Sequence, residues 1–467
     1  MSAEHGSDPA RLGRMHFIGM GGAGMSAVAK LMLARGVPVS GSDRQDSPAL
    51  RRLGDLGAGV FVGQRAENVA GAQTVVVSTA IAEDNPEYAA ARAAGLRVLH
   101  RSQALAAAMH GRDVVAVAGT HGKTTTSAMA ALTLHAAGLE PSWAIGAHVA
   151  GLGANAALGQ GRWFVAEADE SDGSFLEYGP RIAVVTNIEP DHLDFYSSRE
   201  AFFRAFDDFA ATLPEDGLLV ACHDDPGSRG LAERRRAAGG RVVSYGTDPA
   251  ADVRVLPGGA EGLRTRSTLV LGEGADRREE QLELAVPGRH NVLNATAAFC
   301  VALEAGTTPA DAVRGLAGFS GSARRFDLRG EARGVRVFDD YAHHPTEVVA
   351  ALTAARQVAD GHRVIAIFQP HLFSRTREFA AEFADALALA DESLVLDIFA
   401  ARERPVEGLT SEVITDRGPA HVRYVPDGAD AVDQAAGAAR AGDLVLTVGA
   451  GDVTALGPRL VDRLGAR

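Results

Sequence analysis

One local pattern occurs three times in the chain: an apolar segment, a short turn rich in glycine or charged residues, and then a helical apolar pattern. The three copies are MHFIGMGGAGMSAVAKLMLARG from residue 15, DVVAVAGTHGKTTTSAMAALTLHAAG from residue 113 and VRVFDDYAHHPTEVVAALTAARQ from residue 335. Alternation of strand and helix predicts parallel sheets with helices packed on their faces. The predicted fold class is therefore α/β.

The length of 467 residues is too great for a single core, so several domains are expected. Polar or small-residue breaks at 110–113 (HGRD) and 318–326 (GFSGSARRF) separate the three openings. We predict three domains, at 1–111, 112–320 and 321–467. The segments STLVL and QLELAVPG in the middle part predict short strands of an additional antiparallel sheet.

Net charge, cysteine content and the lengths of apolar segments indicate which partners and which compartment to expect. The net charge is −13, and no block of lysines or arginines occurs, which disfavours nucleic acid and anionic membrane as partners. Cys222 and Cys300 are far apart in sequence and lack metal-site spacing, so both are expected to fill core space. There is no apolar signal segment at the N-terminus and no run of about 18 apolar residues, which predicts a cytoplasmic protein.

The turn of the second opening, GTHGKTTT, predicts a phosphate-binding loop. In such loops glycines let backbone N–H groups approach the anion, and a lysine reaches the outer phosphates. Val117 stands where the usual eight-residue pattern has a glycine, so the argument depends on the strand before the loop and the helix after it. An ordinary glycine turn with a solvated lysine is the alternative. The candidate loop residues are Gly119, Thr120, His121, Gly122, Lys123, Thr124 and Thr125.

Acidic residues follow the next two apolar segments. RWFVAEADESDGSF carries Glu167 at the end of its apolar part, where a Mg²⁺ ligand at the mouth of a parallel sheet would lie. RIAVVTNIEPDHLDFY has the same form and carries His192 after its apolar part. The alternatives are a solvated acidic turn at 167–172 and a histidine that only satisfies its own polar contacts.

Two further features point to nucleotides. Gly19, Gly21 and Gly24 fit the G-x-G-x-x-G pattern, and Asp43 follows at the spacing of a ribose-binding acid, which alone would predict a nicotinamide dinucleotide site. Asn291 and Asn294 are three apart and so share a helix face. That face could bind an adenine edge or simply cap the helix.

Taken together, the motifs resemble the Mur ligases, the ATP-dependent amino-acid-adding enzymes of peptidoglycan synthesis. The resemblance extends over nearly the whole chain. The family's fold implies a UDP-sugar-binding Rossmann-like domain at 1–111, a P-loop ATPase domain at 112–320 and a Rossmann-like C-terminal domain at 321–467. The resemblance rests on FIGMGGAGMSA, SGSD, GTHGKTTT, EADESDGSF, TNIEPDHLD, HNVLNA, ARRFD, DDYAHHPTE and FQPHLFSRTR, in the family's order.

The resemblance also implies substrates and cofactors: ATP, Mg²⁺, UDP-N-acetylmuramate and L-alanine. The glycine-rich loop at 19–25 would then hold the UDP-sugar, and the loop at 119 would hold ATP. A monomer or weak homodimer is expected. The implied sites are Gly21, Gly22, Gly24 and Met25 for the UDP-sugar; Lys123 for the transferring phosphoryl group; Thr124, Glu167 and His192 for Mg²⁺; Asn291, Asn294, Arg325 and Asp340 for ATP; and His343 and Arg375 for the amino acid.

Three other readings of the sequence remain open. The nearest is a murein-peptide ligase, a recycling enzyme of similar architecture that attaches a whole peptide to the same UDP-sugar. A nicotinamide-dinucleotide-binding regulator or oxidoreductase would use the first loop. An ATPase that drives a partner would use the second loop without forming a bond.

Overall fold

The structure is a computed structural model that describes residues 8–191, 195–272, 274–401 and 403–466. The chain forms two compact units. One contains the chain up to Leu256 with Thr268–Leu282 and Leu293–Gly318. The other contains Pro257–Ser267, Glu283–Val292 and the chain from Phe319 onwards.

The first sheet has five parallel strands in the order β3-β2-β1-β4-β5. Its central strand is fully buried, as an apolar parallel strand with helices on both faces should be. The strands are β1 Met15–Ile18, β2 Val39–Asp43, β3 Gly59–Val62, β4 Thr74–Val77 and β5 Arg97–His100, and the helices are α1 Ala23–Ala34, α2 Pro48–Asp55, α3 Pro86–Ala93 and α4 Arg101–Ala108.

The second sheet has ten strands in the order β15-β14-β13-β12-β11-β10-β6-β9-β7-β8. Its strands are β6 Asp113–Ala118, β7 Ser142–Ala144, β8 Ala156–Ala157, β9 Trp163–Glu167, β10 Ile182–Val185, β11 Leu218–Cys222, β12 Arg241–Gly246, β13 Val253–Glu261, β14 Arg264–Leu271 and β15 Arg278–Leu284. The helices of this part are α5 Lys123–Ala136, α6 Arg199–Ala211, α7 Pro226–Ala237, α8 Arg289–Glu304 and α9 Pro309–Ala317.

The third sheet has six strands in the order β16-β17-β21-β18-β19-β20, in which only β16 pairs antiparallel. Its strands are β16 Asp327–Ala332, β17 Val335–Asp340, β18 Val364–Phe368, β19 Glu392–Val395, β20 Val422–Tyr424 and β21 Leu444–Val448. Its helices are α10 Pro345–Ala359, α11 Phe373–Glu378, α12 Ala380–Leu387, α13 Glu412–Thr415, α14 Gly428–Ala438 and α15 Leu456–Gly465.

These sheets confirm the predicted α/β class. The prediction of a separate antiparallel sheet is wrong: STLVL and QLELAVPG form most of β14 and β15, which extend the second sheet beyond β13. The reason is that β13 pairs with β12 along one of its edges, with Tyr245 opposite Val253. The other edge of β13 pairs with β14, which adds the last strands to the same sheet. The predicted domain limits stay a prediction.

Two expectations from composition can be compared with the structure. Cys222 and Cys300 are both free and buried, as expected of cysteines that fill core space. Among the described residues, none of the helices is long and apolar enough to cross a membrane.

A cluster of aromatic side chains lies beneath the acidic turn that follows β9. The ring of Phe175 packs against Phe206 with centroids 5.4 Å apart and against Phe209 at 4.9 Å, and all three side chains are fully buried. Tyr196 joins the cluster through Phe202, and its hydroxyl donates a hydrogen bond to the carbonyl oxygen of Glu170. The cluster therefore ties the acidic turn to α6.

We expect Phe206→Ala to lower the melting temperature strongly, because removing a fully buried phenyl ring from a packed core costs about 3–5 kcal/mol. Phe195→Ala is the matched control, since that ring is 55% exposed. Thermal unfolding of the two variants beside the parent protein measures the difference. Equal melting temperatures for the two variants would contradict a packing role for the cluster.

Candidate active site

The loop between β6 and α5 has the backbone geometry of a phosphate-binding turn. Gly119 and Gly122 adopt φ values of +129° and +82°, a region that disfavours residues with a Cβ atom. A Cβ at Gly119 would lie 2.2 Å from Thr186 Oγ1, and one at Gly122 would lie 2.6 Å from Asn294 Oδ1. Because α5 begins at Lys123, the free N–H groups of its first turn lie directly after the loop.

The middle of this loop is attached to the segment that follows β10. Asn187 binds His121 twice: its Oδ1 accepts from the His121 N–H at 2.8 Å, and its Nδ2 donates to the His121 carbonyl at 3.0 Å. The Thr120 hydroxyl donates to the Glu189 carbonyl at 2.8 Å, and the Thr120 N–H donates to the Asn187 carbonyl at 3.1 Å. Thr120 and His121 thus shape the loop through contacts within the fold.

Lys123 folds back over the loop onto a buried carboxylate. Its Nζ donates to the carbonyl oxygens of Gly119 at 2.7 Å and Thr120 at 3.2 Å, and it lies 2.8 Å from both carboxylate oxygens of Glu170. Burial raises the pKa of Glu170 to about 7, despite the opposing charge of Lys123. For Lys123, burial lowers the pKa, but the nearby carboxylates outweigh it and the net pKa is raised.

Glu170 is a site residue that could not be singled out from the sequence. Its carboxyl group is completely buried, whereas the acidic run at 167–172 predicted a solvated turn as the alternative to a metal site. Lys123 directly follows the second loop glycine, and spacing alone cannot match it with one of several acids. The aromatic residues that follow the run are the available signal, because they show that the turn is anchored.

Thr124 and Glu167, both predicted as metal ligands, lie together at the mouth of the second sheet. The Thr124 hydroxyl donates to Glu167 Oε1 at 2.7 Å, and the other carboxylate oxygen accepts from the Gly146 N–H at 2.6 Å. A hydroxyl and a carboxylate are oxygen donors of the kind that Mg²⁺ prefers, so the pair fits the ion. The third predicted ligand, His192, lies outside the described residues.

The first glycine-rich loop, between β1 and α1, is closed by an acid. Asp43 Oδ2 accepts from the Gly21 N–H at 2.8 Å, so this carboxylate is used to hold the loop. Gly22 is the N-cap of α1, and Gly24 lies in its first turn. Met25 is 4% exposed and packs in the core, so only its backbone N–H is available to a ligand.

A cleft connects the first glycine-rich loop with Glu167. It is lined by Gly24 and Val28 of α1, Arg101 of α4, Gly146, Glu167 and Asp169. Arg101 lies so close to the loop that a Cβ on Gly24 would be 2.9 Å from its Nη1. Sequence reasoning missed Arg101, because only the fold brings the start of α4 to the loop of α1.

In the other unit, Asp340 holds two loops, the one that leads into β16 and the one that follows β17. Its Oδ1 accepts from the Ala342 N–H at 2.9 Å and its Oδ2 from the Phe326 N–H at 2.8 Å. Burial raises the pKa of Asp340 to about 6, although the charge of Arg325 opposes the shift. The Arg325 guanidinium lies over the ring of Tyr341, 5.1 Å from its centroid.

His343 and Arg375, the predicted amino-acid contacts, lie in different elements of this unit: His343 in the loop after β17 and Arg375 in α11. Burial lowers the pKa of His343 to about 4, so its imidazole is neutral at pH 7. His343 Nδ1 lies 3.1 Å from the Tyr341 carbonyl and 3.2 Å from Glu347 Oε2, which places the ring proton on Nδ1 and leaves Nε2 as an acceptor. Arg375 is 5% exposed, and its Nη1 lies 3.5 Å from His371 Nδ1.

Asn291 and Asn294 both lie in the first two turns of α8 and are both buried, at 8% and 7% exposure. The Asn291 amide donates to the Pro287 carbonyl at 2.7 Å, which is a local contact at the start of the helix. The Asn294 side chain faces Gly122 of the phosphate-type loop. Of the two asparagines, Asn294 is therefore the one placed directly at that loop.

Comparison with known proteins assigns all three parts of the chain to one family. Residues 14–113 match the model of the Mur ligase family, catalytic domain; residues 117–302 match the Mur ligase middle domain; and residues 324–451 match the Mur ligase, glutamate ligase domain. The three models follow one another along the chain, which confirms the predicted three-domain fold class.

Individual relatives cover almost the full length. A UDP-N-acetylmuramate–L-alanine ligase of Renibacterium salmoninarum is 59% identical over 97% of this chain and 96% of its own, and one of Kineococcus radiotolerans is 55% identical over 98% of each. Among solved structures, a UDP-N-acetylmuramate–alanine ligase of Thermotoga maritima has a TM-score of 0.79 at 29% identity, covering 97% and 99% of the two chains. A murein peptide ligase of Psychrobacter arcticus has a TM-score of 0.70 at 27% identity with the same coverage. The chain belongs to the Mur ligase family.

Proposed function

We propose that this protein joins L-alanine to the carboxylate of UDP-N-acetylmuramate at the expense of ATP, in peptidoglycan precursor synthesis. The products are UDP-N-acetylmuramoyl-L-alanine, ADP and phosphate. The observation that carries the proposal is the 59% identity to a UDP-N-acetylmuramate–L-alanine ligase over almost the whole of both chains. The Lys123, Thr124 and Glu167 constellation supplies the matching chemistry.

A carboxylate is a poor acyl donor because its leaving group would be an oxide ion. In the proposed reaction, a carboxylate oxygen of the sugar nucleotide attacks the γ-phosphorus of ATP and ADP leaves, which gives an acyl phosphate. The amine of L-alanine then attacks the activated carbonyl carbon, loses a proton, and phosphate leaves as the tetrahedral intermediate collapses. Most of the catalysis is positioning and neutralisation of charge.

The loop at 119–125 would bind the phosphates of ATP through backbone N–H groups at the start of α5. Lys123 would exchange its contacts with Glu170 and the two loop carbonyls for contacts with the outer phosphates. Thr124, Glu167 and His192 would hold Mg²⁺, which when bound neutralises charge on the transferring phosphoryl group. Asn294 would support the nucleotide beside Gly122.

The sugar nucleotide would bind at the first glycine-rich loop. The N–H groups of Gly22, Gly24 and Met25 lie at the start of α1, where an anion is favoured. Arg101 adds a full positive charge to the same cleft, which the carboxylates of Glu167 and Asp169 also line. This arrangement suits a diphosphate at the loop and a carboxylate directed towards the ligands of Mg²⁺.

The second unit would supply the remaining contacts. Arg325 would bind ATP phosphates, Asp340 and Asn291 would contact the nucleotide or its surroundings, and Arg375 would bind the carboxylate of L-alanine. His343 would accept a hydrogen bond from the amine through Nε2, since a pKa of about 4 makes it too weak a base to hold the proton. We propose the domain limits 1–111, 112–320 and 321–467 for these functions.

The other readings have less support. The murein peptide ligase structure is a more distant relative, with a lower TM-score than the alanine ligase structure. A nicotinamide dinucleotide site would need the Asp43 carboxylate for a ribose, whereas that carboxylate already accepts from the Gly21 N–H. We further propose that neither nucleic acid nor an anionic membrane is a partner, because the net charge is −13 and no block of lysines or arginines occurs. A cytoplasmic location is also part of the proposal.

Phosphate release from ATP and Mg²⁺ should require both UDP-N-acetylmuramate and L-alanine. The measurement omits each component in turn and follows phosphate together with the sugar-nucleotide product. Release with the tripeptide of murein but not with L-alanine would select the recycling enzyme instead. Steady release without any acceptor would mean that the protein is an ATPase.

Lys123→Ala should abolish ligation while leaving the protein folded, because it removes the cation that neutralises the phosphoryl group. Its melting temperature should fall, since the buried Glu170 carboxyl loses its counter-charge. Lys30 on α1 is the only other lysine in the chain, so Lys30→Ala is the control and should stay active. Product formation under saturating substrates measures the effect. A folded Lys123→Ala protein with near-normal turnover would refute the role given to the loop.

Asp340→Asn should gain stability relative to the parent as the pH rises from 5 to 7. The pKa of Asp340 is raised in the folded state, so the stability this carboxyl contributes is full below its unfolded pKa of about 4 and is lost as the pH rises through about 6. Asparagine cannot ionise and escapes that loss. Melting temperatures of both proteins from pH 5 to 8 measure the difference, which should level off above pH 7; a difference independent of pH would contradict a raised pKa.

A further inference from the structure

The two adjacent arginines of the ARRFD segment have different surroundings within the second unit. Arg325, which the proposed function assigns to the ATP phosphates, has its guanidinium over the Tyr341 ring, and its backbone N–H donates to the Ser322 carbonyl at 3.1 Å. The Arg324 guanidinium instead contacts backbone carbonyl groups, a carboxylate and the Tyr341 ring. The two arginines therefore have different roles, and the contacts of Arg324 indicate what its role is.

The Arg324 guanidinium gathers three consecutive carbonyl groups of the loop that follows β21. Nη2 donates to the Gly449 carbonyl at 2.7 Å and to the Gly451 carbonyl at 3.3 Å, and Nη1 lies 3.5 Å from the Ala450 carbonyl. Gly449 has a φ of +146°, and a Cβ there would lie 2.7 Å from the Gln369 carbonyl. The loop can therefore point these carbonyl groups inward. The several N–H donors of one guanidinium then serve as their hydrogen-bond partners.

A buried carboxylate completes the site of Arg324. Arg324 Nε lies 3.4 Å from Asp339 Oδ2, and Asp339 is completely buried. The hydroxyls of Thr447 and Thr454 also donate to this carboxylate, at 2.7 and 2.8 Å. Since a buried carboxylate requires hydrogen bonds and a counter-charge, Arg324 is held in one orientation.

Tyr341 links Arg324 to Arg325, because its backbone N–H binds Arg324 and its ring contacts both guanidinium groups. Arg324 has a φ of +61°, its carbonyl accepts from the Tyr341 N–H at 2.8 Å, and its guanidinium lies 4.7 Å from the centre of the Tyr341 ring. The same ring supports Arg325 at 5.1 Å. On the far side, the Phe326 N–H is bound to Asp340.

We infer that Arg324 is a positioning residue, which fixes the 324–326 turn and the Tyr341 ring so that the Arg325 guanidinium is held ready for the nucleotide. The inference rests on the proposed role of Arg325. Lysine at 324 would keep the charge but lacks the planar fork of donors that bridges three carbonyl groups and a carboxylate. Small displacements of a positioned group are costly, since a misplacement of about 1 Å can lower a rate on the order of 10²-fold.

A double-mutant cycle on nucleotide affinity tests the inference. The dissociation constant of a β,γ-imido analogue of ATP with Mg²⁺ is measured for the parent, Arg324→Lys, Arg325→Ala and the double variant. We expect each single variant to bind roughly 10-fold more weakly, and the double variant to bind no more weakly than Arg325→Ala, since Arg324 acts only through Arg325. A merely structural role would instead give multiplied losses of about 100-fold.

Two further variants keep the test decisive. Arg329→Lys is the control, because Arg329 contacts Asp327 and none of the three loop carbonyl groups, and it should bind like the parent. Asp339→Asn weakens the anchor of Arg324 and retains both arginines, so it should reproduce the effect of Arg324→Lys if that variant does not fold. Parent-like binding by a folded Arg324→Lys protein, or multiplied losses in the double variant, would overturn the inference.

The cycle also separates this inference from the proposed reaction. Analogue binding needs neither acceptor nor product, so a protein that fails the phosphate-release test can still pass or fail the cycle. Parent-like binding by Arg325→Ala would refute the role of Arg325 and with it the inference, without bearing on which acceptor is used.

Discussion

The ion pair between Lys123 and Glu170 is the interaction on which the nucleotide loop depends. A buried cation and a buried carboxylate are each costly alone, and together they are tolerated only with good geometry and further hydrogen bonds. Here the loop supplies these bonds through the carbonyl groups of Gly119 and Thr120. The loop, the helix start and the acidic turn are thereby held in one arrangement before any phosphate arrives. Burial raises the pKa of Glu170 to about 7 even with Lys123 beside it. A phosphate that draws Lys123 away would raise that pKa further, so the buried carboxyl could take up a proton near neutral pH.

The parallel sheet explains how residues far apart in sequence reach the same place. Val117 and Glu167 are direct neighbours across β6 and β9, and Ala118 and Val185 are neighbours across β6 and β10. Each strand is followed by a turn at the same edge, so the phosphate-type loop lies between the turn that carries Glu167 and the turn that carries Asn187. The glycines follow from this crowding, since a side chain at 119 would collide with Thr186.

The parts that could be predicted from the sequence are those set by strand ends. The apolar segments before Gly119 and Glu167 place their turns at one edge, and the Thr124–Glu167 contact is a direct consequence. Glu170 and Arg101 could not be predicted, because their roles depend on how an acidic turn is anchored and on where α4 begins relative to α1.

The strands after residue 252 were assigned to the wrong sheet, since strand propensity does not say which edge a strand joins. The first loop shows the same limit: its pattern favours a dinucleotide, and only the use of Asp43 by Gly21 argues against that.

The cleft runs from the first glycine-rich loop to Glu167, which accepts a hydrogen bond from Thr124 of the second loop, so both loops border one region of the molecule. Each loop ends at a helix start that favours an anion, and each is too short to accommodate more than part of a large polyanionic ligand. Two ligands that must react with each other therefore need two such loops facing a common space. Arg101, Glu167 and Asp169 are the charged groups that line that space. Charge of both signs fits a site where a substrate carboxylate meets a metal-bound phosphate: the cation favours the sugar nucleotide, while the carboxylate favours the metal ion. A single dinucleotide is itself anionic, so a cleft that also contains the carboxylates of Glu167 and Asp169 suits it less well than it suits a metal ion beside a second ligand.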